Sequence, residues 1–229
     1  MPSEIKKGII WLIAFSIAMG FLETAVVVYL RALYYPNGFA FPLTVMDQQI
    51  GSIELLREAA TVVMLAGVGI LTGRSVNQRF AFFLGAFAIW DIFYYVFLKI
   101  LLGWPESFYT WDILFLIPVP WIGPVLAPII VSITMLSLAA ALVFRDLQNP
   151  THRLSTREWF FLLAGSLVVV SSWTGDYLSY SRVIGSVTQA ISTYVPGNYN
   201  WYLFSAGEIL LILAILLFWR RTSGGFRTQ

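Results

Sequence analysis

The chain contains no cysteine and a single histidine, His152. That rules out disulfides, thiol nucleophiles, iron–sulfur clusters, haem held by two histidines and zinc sites of the usual kind. Charge is scarce too. Asp, Glu, Lys and Arg make up only 11% of the 229 residues, whereas a soluble surface needs about a quarter. With 59% apolar residues, such a chain belongs in a lipid bilayer. No polar stretch is long enough for a second domain, so residues 1–229 read as a single integral membrane domain. The formal charge of +2 is spread over short loops and tails, which leaves no nucleic-acid surface.

Six apolar runs have the length of a membrane crossing: 8–30, 53–72, 80–102, 121–144, 159–180 and 201–219. They are continuously apolar and lack the alternation of barrel strands, which predicts an all-α, polytopic helical bundle. The first run follows Lys6 and Lys7 but exceeds the length of a signal-peptide core and contains Glu23, so it reads as an uncleaved span. Basic residues set the orientation, because they stay on the cytoplasmic side during insertion. With the N-terminus inside, ten of the 14 are cytoplasmic: Lys6, Lys7, Arg74, Arg79, Arg145, Arg153, Arg157, Arg220, Arg221 and Arg227. Arg31, Arg57, Lys99 and Arg182 remain in the outer half. The expected location is the cell (plasma or inner) membrane with both termini cytoplasmic.

The acids run the other way. Glu23, Glu54, Glu58, Asp91, Asp112, Asp176 and Glu208 lie in or at the lip of apolar runs, and the assigned orientation puts all seven in the outer half. An acid in hydrocarbon costs several kcal/mol unless it is paired, protonated or wet. Glu54, Arg57 and Glu58 share one helical face, as do Asp91, Tyr94 and Tyr95. Local ion pairs are expected from Arg57 to Glu54 or Glu58, from Lys99 to Asp91 or Asp112, and from Arg182 to Asp176. Glu23 and Glu208 have no base within a helical turn.

Residues 112–144 form an apolar stretch too long for one straight crossing, with Pro118, Pro120, Pro124 and Pro128 in its first part. In a helix the last three would free carbonyls at Leu116, Pro120 and Pro124. Lipid cannot satisfy them. The segment at about 112–128 is therefore expected to be proline-broken or re-entrant, extended over 112–120 and leading into a bent fourth helix. A proline-kinked helix packed against its neighbours is the other reading. A small repeat, Trp90-Asp91-Ile92 and Trp111-Asp112-Ile113, precedes this segment. In the last outer loop, Val183, Val187, Ile191 and Tyr194 have helical spacing, which suggests a short surface helix. Ala81 and Gly85, one turn apart, offer a seat for a neighbouring helix.

Carboxylates, tyrosine hydroxyls and free carbonyls without His or Cys make a hard-oxygen environment, suited to a proton, a hard cation or an organic cation. The candidate substrate- or ion-binding residues are Glu23, Glu54, Glu58, Asp91, Tyr94, Asp112, Asp176 and Glu208. No cofactor is predicted beyond a hard cation or proton. The favoured reading is a small-cation or proton-coupled carrier, with the lipid bilayer and a small solute as partners. A membrane-embedded enzyme is the alternative, with Asp91 and Asp176 sharing acid and base work on a lipid or peptide. A non-catalytic accessory subunit, in a homo-oligomer or larger membrane complex, is a third. Against all three stands the reading in which the acids only fix helix packing.

Overall fold

The structure, a computed structural model, describes residues 3–223, except for the side chains of Val187 and Thr188. Arg227 lies outside the described residues, and so does the side chain of Val187. Six long apolar helices cross from end to end: α1 (Ser3–Tyr34), α2 (Gln48–Thr72), α3 (Val76–Leu102), α4 (Leu126–Gln148), α5 (Thr156–Ile184) and α7 (Trp201–Ser223). This is a multi-pass, all-α membrane bundle. Short helix α6 (Val187–Thr193) falls where the spacing in the last loop predicts it.

The helices outrun the apolar runs because capped polar turns project beyond them. Asp47 caps α2, accepting from the backbone N–H groups of Gln49 at 2.9 Å and Ile50 at 3.4 Å. Ser75 caps α3, and Ser155 with Glu158 forms a reciprocal capping box on α5. At the other ends of α3 and α5, Gly103 (φ 65°) and Gly185 (φ 73°) take the left-handed conformation that only glycine adopts freely.

The proline-rich segment is broken backbone, as expected, and not a kinked helix. It is an antiparallel hairpin of β1 (Trp111–Phe115) and β2 (Trp121–Pro124), pairing Asp112 with Gly123 and Ile113 with Ile122. Extended backbone over 112–115 agrees with expectation; the fourth span, expected from residue 121, begins only at Leu126. The prolines explain the shift. Pro118 and Pro120 sit in the hairpin turn and Pro124 ends β2, positions that need no ladder donor. Pro128 falls in the first turn of α4, where the N–H has no intrahelical partner anyway.

α3 packs against α1, α2 and α4, while α7 packs against α5 and α4. The helices thus form a continuous row, with α1 and α2 on α3, α3 on α4, α4 on α7 and α7 on α5, and the hairpin rests on α5 and α4. Small residues set the closest approaches. Gly20 lies against the Trp90 carbonyl on α3, Gly69 against the backbone of Phe83, and Gly165 against Gly207 between α5 and α7. Of the expected pair, Ala81 is seated internally among Leu138 and Leu142 of α4, but a Cβ on Gly85 would meet nothing within 4 Å.

At the end opposite the hairpin, polar side chains lock the helices. Asp146 accepts from Ser75 Oγ at 2.7 Å, Gln78 Nε2 at 2.7 Å and Asn77 Nδ2 at 3.4 Å. Arg221 of α7 forks onto Glu158 of α5 at 2.8 and 2.9 Å. Arg145 lies over the Trp219 ring at 3.9 Å.

A Cβ at Gly207 would come within 2.7 Å of Val169 Cγ2 and 2.9 Å of its backbone nitrogen. Gly207→Val should therefore destabilise the α5–α7 contact by about 1–3 kcal/mol. The drop in melting temperature in detergent checks this, and Gly85→Ala should leave that temperature unchanged.

Candidate functional site

Five of the seven acids reach one cavity. It has a volume of about 390 Å³ and lies between α1, α2, α3, the 35–47 connection and the hairpin. Glu23 comes from α1, Glu54 and Glu58 from α2, Asp91 from α3 and Asp112 from β1, with Tyr94 and Tyr95 beside them. The helical faces inferred from spacing do converge here. So do the two aspartates of the Trp-Asp-Ile repeat, one from a helix and one from a strand.

Two arginines answer three of these acids. Arg57 donates to Glu54 at 2.6 and 2.8 Å and, across the helix gap, to Glu23 at 2.5 Å. Glu23, which has no base near it in sequence, thus gains one from another span. Arg31 meets Asp112 at 3.4 Å, and its guanidinium lies 3.7 Å above the Trp104 ring and 4.6 Å from that of Phe39. Tyr95 donates to the second Asp112 oxygen at 3.2 Å.

The remaining two acids have only neutral partners. Glu58 accepts the backbone N–H of Leu116 at 3.0 and 3.2 Å, just where β1 ends and that N–H leaves the ladder. Asp91 accepts from Ser132 Oγ of α4 at 2.8 Å. Among the described residues, neither Glu58 nor Asp91 has a Lys or Arg within ion-pair distance. Of the two partners expected for Arg57, Glu54 is the one it meets, and Glu23 stands in the place of Glu58. Lys99 does not reach Asp91 or Asp112, because it donates to the carbonyls of Gly103 and Pro105 at 3.0 and 2.8 Å and closes the end of α3.

Asp176 and Glu208 do not join this cavity. Asp176 lines a separate one of about 210 Å³ with Ser172, Tyr194, Asn198 and Tyr199, and among the described residues Arg182 forms no ion pair with it. Glu208 is buried on α7, accepts from Thr134 of α4 at 2.7 Å, and leaves Oε1 without a partner among the described residues. Asp176 lies on α5 and Glu208 on α7, which pack mainly on each other. Sequence spacing cannot separate these two from the cavity acids, since all the acids share one end of the bundle.

Several site residues escape sequence reasoning. Arg31 reads only as one of four outer-half bases and Trp90 only as a member of the Trp-Asp-Ile repeat, and nothing in the sequence marks Ser132. Trp90 also lines the cavity, is buried, and its indole N–H has no acceptor among the described residues. Its place beside Asp91 in that repeat is the one signal that marks it.

Outside the spanning helices, burial pushes the Asp112 carboxyl up to about 6, with the Arg31 guanidinium pulling the other way. Burial, helped by Asp176, likewise pushes the Tyr194 hydroxyl up to about 12. Among the described residues no three acid or histidine side chains come close enough together to hold a metal ion. Compared with known protein families, curated proteins and solved structures, the chain matches none.

Arg57→Met strands Glu23 and Glu54 in a mostly buried setting, where breaking a buried pair costs about 3–5 kcal/mol; the partial exposure of Arg57 puts the loss at the lower end. Adding Glu23→Gln and Glu54→Gln to that variant should recover most of the lost melting temperature. Asp112 titrates higher folded than unfolded, so its contribution to stability falls as pH rises from about 4 to about 6. Asp112→Asn should remove that slope from a plot of melting temperature against pH.

Proposed function

We propose that this integral membrane protein is a carrier that takes a small cationic solute into the carboxylate-lined cavity, with protons as the coupling ion. One observation carries the reading: Glu58 and Asp91 face a cavity of about 390 Å³ with no basic side chain to neutralise them. Packing alone accounts for Glu23, Glu54 and Asp112, which have arginines. It does not account for the other two, since a carboxylate at membrane depth is otherwise expensive. A bound cation or proton supplies the missing charge.

The distribution of basic residues favours the cell membrane, with both termini in the cytoplasm and the cavity in the outer half. Broken backbone beside the acids fits a binding site, because such backbone is tolerated at depth where it lines a cavity. The enzyme reading loses support, since Asp91 and Asp176 line separate cavities and cannot divide one proton transfer between them.

The test is flux in proteoliposomes under an imposed pH gradient. Asp91→Asn and Glu58→Gln should each cut cation-dependent proton flux about tenfold or more, equivalent to about 1.4 kcal/mol. Glu4→Gln, which touches only the exposed Lys7, should have no effect. Wild-type flux in both cavity variants would reject the carrier.

A further inference from the structure

We propose that the solute is a protonated organic amine with an apolar body, rather than an inorganic cation. The proposal rests on the cavity being the binding site of the carrier described above, and it names the class of molecule that fits.

Size speaks first. A cavity of about 390 Å³ falls in the range of organic-ligand sites, about 300–1,000 Å³, and is far larger than a bare ion requires. A hard divalent cation also needs six or more oxygens converging on one point. The cavity acids do not converge in that way, for among the described residues no three of them form a metal-holding group.

The walls agree. Val27, Leu55, Phe115 and Val119 give the cavity apolar sides, and Trp90, Tyr94 and Tyr95 give it aromatic ones. Such rings beside a carboxylate attract an organic cation through both charge and ring face. An ammonium group near Asp91 and Glu58 would meet acceptors that no arginine occupies, while its hydrocarbon part would cover apolar wall.

The two carboxylates agree as well. Glu58 and Asp91 accept only from neutral groups, the Leu116 N–H and Ser132 Oγ. Each carboxylate has further lone pairs, so an ammonium, with its several donors, can add to one or both and bring the charge they lack.

Isothermal titration of the full-length protein in detergent tests this with three probes: phenethylamine, its neutral counterpart 2-phenylethanol, and calcium chloride. Phenethylamine should bind, and the alcohol and calcium not at all at the same concentrations. Asp91→Asn should weaken the amine about tenfold or more. Glu58→Gln is the second acid variant should Asp91→Asn fail to fold. Equal binding of the alcohol, calcium binding in place of the amine, no binding of the amine at millimolar concentration, or unaltered affinity in both acid variants overturns the proposal. Uptake of phenethylamine into proteoliposomes separates the two levels. Binding without uptake keeps the ligand class and rejects the carrier, whereas Asp91-dependent proton flux without amine binding does the reverse.

Discussion

The bundle at its hairpin end depends on a single guanidinium. α1 and α2 each lean mainly on α3 and touch each other little, yet both carry acids on their inner faces. Arg57 spans the space between them, holding Glu54 on its own helix and Glu23 on the neighbour. Hydrocarbon offers no water to shield those charges, so the bridge both neutralises two acids and ties two helices that apolar packing leaves loosely joined. The cavity exists because this tie is made by long side chains: a direct helix contact there would close it.

Backbone obeys the same constraint as charge. Each buried N–H and C=O has to find a partner, and where water is excluded that partner is inside the protein. The hairpin meets this by pairing its strands with one another and by donating the first N–H past the ladder, that of Leu116, to Glu58. An acid on a helix thereby completes the hydrogen bonding of a strand end. Beneath it, Trp121 stacks on Trp173 at 5.6 Å, and Gly123 lets the indole of Trp173 approach where a side chain would collide. Trp173, too deep for an interfacial belt, is the floor on which the hairpin sits.

Much of this was legible in the residues before any coordinates. Six apolar runs mark six helices, since length and continuous apolarity leave few alternatives in a bilayer. Spacing put Asp91 with Tyr94 and Glu54 with Glu58 on shared faces, and those faces do turn to one cavity. Four prolines announced irregular backbone, but a hairpin differs from a broken helix only in long-range pairing, which no local pattern records. The same limit hid the Arg57–Glu23 bridge, 34 residues apart, and the Asp91–Ser132 contact, 41 apart. It also hid the pairing of α5 with α7 that sends Asp176 and Glu208 elsewhere. Helix depth can be counted along a chain, whereas helix neighbours cannot.

Ser132 sits on α4, of which no described residue lines the cavity, and donates to Asp91 on α3. One carboxylate of the chamber is thus aimed from outside it, and the packing of α3 on α4 reaches the interior through a single oxygen.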